Sequence, residues 1–413
     1  MPQGKIIKIK NCRLLRNHQI VDNDYLWIQD GRIVDPQEQF FTHRHPPDET
    51  IDAGGMLVCP GFIDVQINGA FGVDFSDITQ FDQDKAKQDL DRVAKGLLQY
   101  GCTAFAPTIV SSSPEVYRKV LPLLKPRQGT ATAGATILGA HVEGPFISQD
   151  KNGAHNLEVL QVPREGMADF ARVYGTENIG PEDAARGSER TESIRLITVA
   201  PDLEGSQRGI RELAKRGVVV SIGHSPASVQ EAEEAVENGA TFITHLFNAM
   251  QQFHHRDPGI IGLLGSNLQR PYYGLICDGV HCHPNSVKIA YYSHPGGAVL
   301  VTDAMSAMGL PPGKYTLGDM KVEKEEDRVY VEGTRTLAGS VITLDACVRN
   351  FKEFTGCSTI EALEAVTLHP AVLLGIQDRK GQLVTGADAD LVFLDDDLRV
   401  KRVFVAGEEV QLE

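Results

Sequence analysis

Several common sequence signals are missing from this chain of 413 residues. No run approaches the roughly 18 apolar residues of a membrane-spanning helix, and the first 15 residues lack the apolar core of a secretory signal. The seven cysteines are scattered and form no CxxC pair, which excludes a zinc ribbon and a disulfide framework. We therefore expect a reduced, cytosolic (cytoplasmic) protein without a membrane partner.

Signatures of nucleotide and nucleic-acid binding are also missing. The sequence has no GxGxxG, no GxxxxGK[ST] and no G-x-S-x-G, so neither a dinucleotide fold, a P-loop nor a serine-hydrolase elbow is indicated. The 55 acidic residues outnumber the 40 basic ones, and the net charge of −15 leaves no broad basic surface. A nucleic-acid partner is therefore not expected, whereas a small anion held by a few local cations remains possible.

The middle of the chain alternates short apolar runs with amphipathic segments such as Ser225–Asn238. Eight such runs within about 240 residues predict an α/β protein built on a (β/α)₈ barrel. The predicted strands are Gly61–Gln66, Thr103–Thr108, Thr136–Val142, Ile194–Val199, Val218–Ile222, Thr241–Thr244, Gly274–Cys277 and Ala298–Thr302.

Both ends of the chain have a different pattern. Lys5–Ile9, Tyr25–Gln29 and Arg32–Val34 near the start, and Leu391–Leu394 and Arg402–Val405 near the end, are predicted strands. We expect the two ends to form one small β domain. The polar segment 175–192 interrupts the alternation and is predicted to be an exposed insertion.

Four predicted barrel strands end in residues that carry chemistry. Glu143, His224, His245 and Asp303 follow four different strands, and a barrel places all such ends at one rim. A single histidine at a strand end is more often structural than a ligand. One carboxylate with two imidazoles is nevertheless a suitable set for Zn²⁺ or a similar ion with one position open for water. Asp303 then suits a general base.

The first strand lacks a motif that many metal-dependent barrel hydrolases carry there. Gln66 and Asn68 stand where His-x-His is usual. Neutral amides are poor ligands for a second cation, so one metal ion is expected instead of two. The two amides are candidates for contacts with water or ligand.

Candidates for an anion site lie further along the chain. Arg256 is the best cation, although an exposed loop arginine paired with Asp257 is an equally good interpretation. His281 precedes Pro284, which is typical of a helix start, and a phosphate could meet that helix end together with His281 and Arg256. The loop Leu337–Ser340 could present backbone groups to a ligand.

Two short motifs, PGFID (60–64) and GADADLV (386–392), resemble those of the amidohydrolase superfamily. Longer stretches are more selective. They resemble the family of N-acetylglucosamine-6-phosphate deacetylases, particularly its animal members, and extend from about residue 5 to residue 407. These stretches are DVQINGAFGVDF (64–75), HVEGPFIS (141–148), IGHSPA (222–227), HLFNAM (245–250), HHRDPG (254–259), DGVHCHP (278–284) and VTDAM (301–305).

The resemblance implies a (β/α)₈ TIM barrel at 59–375 with a small β-sandwich domain formed by 1–58 and 376–413. It implies a homodimer that hydrolyses the acetyl group of N-acetyl-D-glucosamine 6-phosphate, with one divalent metal ion, expected to be Zn²⁺, held by Glu143, His224 and His245. Asp303 would be the acid/base residue, and Arg256 would reach into the partner's site. The residues implied to contact the sugar phosphate are Ala154, His155, Asn248, Ala249, Arg256, Asp278, Gly279, Val280, His281, Leu337, Ala338 and Gly339.

Two other functions remain as alternatives. A cyclic-amide or cyclic-imide hydrolase on the same barrel usually keeps His-x-His, and Gln66 and Asn68 argue against it. A non-catalytic scaffold would be marked by lost metal ligands, whereas the four candidate residues at the strand ends are all present.

Overall fold

The computed structural model describes residues 4–42, 46–78, 83–184, 186–187 and 190–412. Its centre is a barrel of eight parallel strands, which we number one to eight in chain order. They are Phe62–Ile67, Cys102–Val110, Ala140–Glu143, Ile194–Val199, Val219–Ile222, Ala240–Ile243, Tyr272–Leu275 and Ala298–Leu300. Each strand pairs with the next, as the buried apolar runs predicted.

The chain just beyond strands one and eight brings the barrel close to closure. The Asn68 amide donates to the Ala304 carbonyl at 2.7 Å, and the Asp303 amide donates to the Gln66 carbonyl at 2.9 Å. Predicted strand three is interrupted at Gly139, whose φ of 101° ends the short strand Thr136–Ile137. The predicted barrel is thus confirmed, and the candidate residues that follow its strands share one rim.

Helices cover the outside of the barrel. The α-helices are Gln83–Leu97, Pro114–Val120, Met167–Tyr174, Thr176–Ile179, Ser206–Lys215, Val229–Glu237, Pro284–Ser293, Leu344–Thr355, Thr359–Glu364 and Leu368–Leu374. A 3₁₀ helix, Gly259–Gly265, follows strand six. The helix predicted from Ser225 begins at Val229 instead, because Ser228 caps it in a capping box with Glu231. Within the described residues, no helix combines the length and apolar character needed to cross a membrane.

The two ends of the chain form one mixed sheet, as expected. Its strands are Ile6–Arg16, Gln19–Gln29, Arg32–Val34, Glu49–Asp52, Leu57–Pro60, Leu391–Leu394, Val400–Val405 and Glu408–Glu409. Ile33 and Phe404 lie near opposite ends of the strand order yet belong to one buried apolar cluster. The sheet therefore curves around its own core, which is separate from the barrel core.

A third sheet was not predicted. Gly313–Leu317, Met320–Glu325 and Arg328–Val331 form an antiparallel unit between strand eight and helix Leu344–Thr355. Its alternating apolar residues and its Gly318 turn are a signal that could have revealed it. This sheet brings Leu317 to the rim of the barrel.

The prediction that segment 175–192 is exposed is wrong for part of it. Residues 185, 188 and 189 lie outside the described residues, but Asn178, Ile179 and Arg190 are buried. The Asn178 amide donates to the Tyr174 carbonyl at 2.8 Å, and Arg190 donates to the Ile179 carbonyl at 2.8 Å. Polar side chains can be buried here because main-chain carbonyls accept their hydrogen bonds.

Candidate active site

Three candidate metal ligands converge at the rim of the barrel. Glu143 ends strand three, and His224 and His245 each follow a strand by two residues. Glu143 Oε1 lies 3.2 Å from His224 Nε2 and 3.0 Å from His245 Nε2, and the two imidazole nitrogens are 3.1 Å apart. All three side chains are buried. They form the predicted cluster of one carboxylate and two imidazoles.

This cluster fits a metal ion by its geometry. Ligands about 2.0–2.1 Å from a tetrahedral centre stand roughly 3.3 Å from each other, close to the separations here. The second nitrogen of His224, Nδ1, donates to the Lys151 carbonyl at 2.8 Å, which leaves the Nε2 lone pair directed at the cluster. The described residues can therefore hold one divalent cation at this point.

The charges of the cluster are strongly coupled. Burial raises the pKa of Glu143, but its close contacts with the His224 and His245 rings and the charges of those rings outweigh burial and bring that pKa well below its usual range. Burial lowers the pKa of His245, whereas its bond to Glu143 and the charge of Glu143 raise it to about 8. At neutral pH the metal-free cluster therefore carries a proton on His245 that a cation has to displace.

Asp303 lies at the same rim, just after strand eight. Its Oδ1 accepts from Asn68 Nδ2 at 2.8 Å and from Gln66 Nε2 at 3.3 Å. Gln66 Nε2 also donates to Glu143 Oε1 at 3.0 Å, so one amide connects the candidate base to a candidate ligand. Burial, followed by the charge of Glu143, raises the pKa of Asp303 to about 6. A carboxylate with that pKa suits proton transfer near neutral pH.

Three of these four residues have an unusual backbone conformation. The φ angles of His224, His245 and Asp303 are 49°, 24° and 47°, a region that side chains other than glycine rarely adopt. Strain of this kind is concentrated at functional sites, where surrounding contacts impose it. The hydrogen bond from Ser340 N to the Asp303 carbonyl, at 2.9 Å, is one such contact.

His155 is a neutral hydrogen-bond donor in this site. Its Nδ1 accepts from the Ser111 backbone amide at 3.1 Å, which places the ring proton on Nε2. Burial, together with the nearby His224, lowers the pKa of His155 to about 3. The imidazole is therefore uncharged, with Nε2–H left to donate to a ligand.

A cavity of about 150 Å³ opens above the candidate metal ligands. The sequence-predicted residues that line it are Asn68, Glu143, Ala154, His155, His224, His245, Asn248, Ala249, His281, Asp303, Leu337 and Gly339. Val110, Gly153 and Leu317 also line it but were not predicted, because apolar or glycine residues carry no chemical motif. The cavity is thus polar on the metal side and apolar at Val110 and Leu317.

The remaining predicted contacts do not line this cavity. Gln66 and Ala338 are buried behind its wall, and the backbone amides of Val280 and His281 both donate to Asp278 Oδ1 at 2.8 Å. Asp278 Oδ2 is 2.6 Å from His281 Nδ1 and so fixes that ring. Gly279 and Val280 therefore belong to the loop that positions His281 at the cavity, and do not line the cavity themselves.

Arg256 lies outside the cavity of its own chain. It is exposed, and its nearest described side-chain partner is His255, at 3.1 Å. Asp257 instead accepts from the backbone amides of Val229 and Gly259. The Arg256–Asp257 pair considered from the sequence is thus not formed among the described residues.

The fold and the site together define a metal-dependent hydrolase barrel. The chain belongs to the amidohydrolase family, whose model matches residues 57–410. A Danio rerio N-acetylglucosamine-6-phosphate deacetylase is 47% identical, with 99% of each chain covered. A Homo sapiens deacetylase of the same name is also 47% identical, and the matched region covers 98% of this chain and 96% of the human chain.

A solved structure supports the same relationship. It is a mutant N-acetyl-D-glucosamine-6-phosphate deacetylase from Mycobacterium smegmatis in complex with N-acetyl-D-glucosamine-6-phosphate. It is 27% identical to this chain, has a TM-score of 0.80 and covers 99% of this chain and 100% of its own.

Proposed function

We propose that this protein hydrolyses the acetamide of N-acetyl-D-glucosamine 6-phosphate to D-glucosamine 6-phosphate and acetate, in the breakdown and recycling of amino sugars. The observation that carries the proposal is the meeting of Glu143, His224, His245 and Asp303 in one cavity. The chain also matches deacetylases of that name over almost its full length.

One divalent ion per subunit, expected to be Zn²⁺, completes the proposed site. Glu143, His224 and His245 would hold it. When bound, such an ion lowers the pKa of a water ligand towards 7 and polarises a carbonyl group. Gln66 and Asn68 donate their amide protons to carboxylates, which orients Glu143 and Asp303 and supports a single-ion site.

Two residues of the chain carry out the remaining chemistry: Asp303 transfers protons, and His155 stabilises the developing negative charge. Asp303 Oδ accepts a proton from the attacking water and returns it to the amine nitrogen, which is a poor leaving group until protonated. His155 Nε2–H donates to the acetamide oxygen as negative charge develops there. The neutral form of His155 suits this role because it keeps one proton fixed on Nε2.

Binding of the sugar phosphate uses the rest of the cavity wall. Asn248, Ala249 and Ala154 contact the sugar beside His155. His281, Leu337 and Gly339 form the far side, and Asp278 holds the His281 ring in place. The phosphate is held by His281 and by Arg256 from a second copy of the chain. Exposure of Arg256 outside its own cavity supports this homodimer, because the residue is free to reach another subunit.

Complementation between two impaired variants, assayed at a substrate concentration well below the raised KM, tests the shared site. Arg256→Ala should raise KM for the phosphorylated substrate by about 10²-fold through loss of a charged phosphate contact, and Asp303→Asn should be inactive. Mixed dimers of the two should recover up to half of the wild-type activity per mixed dimer. The control is Arg118→Ala, the same change at another exposed arginine, which should leave KM unchanged. Absence of recovery in verified mixed dimers would place Arg256 outside the neighbouring site.

The rate should also depend on pH through Asp303. A general base works only when deprotonated, and the pKa of about 6 means that activity falls as pH drops through 6. A bound cation favours the carboxylate, so the metal-loaded enzyme should lose activity at pH 6 or somewhat below it. The kcat profile between pH 4.5 and 9 measures this, with metal content checked at each pH. A rate that rises below pH 6 at constant metal content would contradict the role.

Two organisational features complete the proposal. The small β-sandwich domain comprises 1–58 and 376–413, and the barrel comprises 59–375, a division supported by the separate core of the terminal sheet. A cytosolic location is supported by seven cysteines that are all free and buried.

Product analysis separates this function from its alternatives. The metal-loaded protein should convert N-acetyl-D-glucosamine 6-phosphate to a primary amine and acetate, both detected by mass spectrometry. Dihydropyrimidine and hydantoin substrates should remain unchanged. Ring opening of those cyclic amides without acetate release would favour the cyclic-amide hydrolase, and inactivity on every substrate despite bound metal would favour a scaffold.

A further inference from the structure

A second cavity, of about 290 Å³, lies at the other end of the barrel. Leu138 before strand three, Arg195 at the start of strand four and Ile376 after the last helix all line it. Glu143 stands at the opposite end of strand three, at the candidate active site. The two cavities therefore open at opposite ends of the same strands, and the second belongs to no part of the proposed reaction.

The lining of this second cavity is strongly basic, in a protein whose net charge is −15. Its basic side chains are Arg127, Arg190, Arg195, Arg379 and Lys380. Lys380 pairs with Asp388 at 3.1 Å and with Asp390 at 2.6 Å, and Arg379 also pairs with Asp388. Arg127 pairs with Asp91 at 2.7 Å. The charges of these three residues are therefore balanced, which leaves Arg190 and Arg195 as the remaining basic side chains.

Arg195 is the centre of that unbalanced charge. Its side chain is only 4% exposed, and it donates to the main-chain carbonyls of Gly187, at 2.7 Å, and Leu374. Its Nε has no hydrogen-bond partner among the described residues, and no described carboxylate forms an ion pair with it. Glu192 opposes the lowering of the Arg195 pKa only in part, so the charge of this buried cation is incompletely compensated. An anion in the cavity would complete the compensation.

The neighbours of Arg195 increase the imbalance. Burial, followed by the charges of Arg190 and Arg186, lowers the pKa of Arg195 to about 10. Arg190 is buried as well, and Glu192, its described acidic neighbour, is 3.6 Å away. Several guanidinium groups around one cavity match the oxygen atoms of a phosphate group, which arginine binds through paired N–H donors.

We infer that this cavity, at the N-terminal ends of strands three and four, binds a small phosphate-bearing anion through Arg195 and Arg190. The volume of about 290 Å³ is just below the range of roughly 300–1,000 Å³ for drug-sized ligands, which suits a smaller ligand such as free phosphate or a phosphorylated sugar. Thr191 lines the cavity at an exposed position.

A pair of matched variants tests the site with the full-length protein. Thr191→Glu adds one negative charge to the exposed part of the lining, and Thr191→Gln adds the same bulk without charge. Inorganic phosphate and glucose 6-phosphate are the probes, titrated at constant ionic strength. Because the candidate active site also accepts phosphate, hydrogen–deuterium exchange locates each binding event, comparing 126–138, 190–195 and 376–388 with the 278–281 loop.

We expect both probes to protect 126–138, 190–195 and 376–388 in the wild type. Thr191→Glu should weaken this binding at least about tenfold, and Thr191→Gln should change it less than twofold. Both variants should keep the wild-type kcat for acetate release. Tighter binding of glucose 6-phosphate than of phosphate would identify a phosphate ester as the ligand, and equal binding would identify the free ion.

Three results would overturn the inference. They are protection confined to the 278–281 loop, no protection with either probe, and equal weakening by the two Thr191 variants. Arg195→Gln is an independent check through stability, because phosphate should raise the Tm of the wild type by more than that of this variant, in which only the candidate active site still binds it. Should Arg195→Gln fail to fold, the Thr191 pair still decides.

Discussion

Replacing Asp303 by Asn should reduce kcat for acetate release by about 10²–10⁴-fold. The carboxamide can still accept from Asn68 Nδ2, which now donates to Asp303 Oδ1 at 2.8 Å, so the loop should keep its shape. It cannot accept the proton of the attacking water. Rates measured with saturating substrate, together with metal content and Tm, test the role.

The matched control for this variant is Asp150→Asn, the same change at an exposed position. It should leave the rate unchanged. Metal content in Asp303→Asn should also remain close to that of the wild type, because Asp303 lies outside the three-ligand cluster. Full activity in Asp303→Asn would show that another group moves the proton, whereas loss of metal would assign Asp303 to the metal site instead.

Replacing Glu143 by Gln should remove both metal and activity. The neutral amide is a far weaker ligand, and it no longer compensates the charge near His224 and His245. We expect metal affinity to fall by at least about 10²-fold and acetate release to fall with it, with partial recovery in excess Zn²⁺. Glu158→Gln, at an exposed position, is the matched control and should retain full metal content.

The same cluster predicts how metal binding depends on pH. The pKa of His245 is about 8 in the metal-free chain, so a cation has to displace its proton below that pH. Apparent affinity should therefore rise about tenfold per pH unit up to pH 8 and then level off. Calorimetry in buffers of different ionisation enthalpy measures the proton released. An affinity independent of pH between 6 and 8 would contradict the raised pKa of His245 in the metal-free chain.

The barrel and the metal cluster could be predicted because each depends on local sequence. Strands buried on both faces are continuous apolar runs, and a barrel brings whatever follows those runs to one rim. That argument located Glu143 and Asp303 on different strands 160 positions apart, and the structure joins them through the amide of Gln66. The fold class alone therefore predicted that these two residues, distant in sequence, lie at the same rim.

Other features depend on the tertiary environment and could not be predicted. The positive φ angles of His224 and Asp303 are imposed by surrounding contacts, and neither residue type signals them. Leu317 lines the cavity because its antiparallel sheet packs against Val110, which ends strand two at the rim. Arg190 lies in a polar segment that was predicted to be exposed. It is buried instead, because main-chain carbonyls accept its hydrogen bonds. Burial of a charged residue depends on its partners, which composition does not reveal.

The most direct test of the central claim is the rate of acetate release from N-acetyl-D-glucosamine 6-phosphate beside unphosphorylated N-acetyl-D-glucosamine, with metal content measured on the same sample. The account predicts about one metal ion per chain and a kcat/KM at least about 10³-fold higher for the phosphorylated sugar, because charged contacts to the phosphate are lost without it. Equal rates on the two sugars, or no acetate from either with the metal bound, would contradict it.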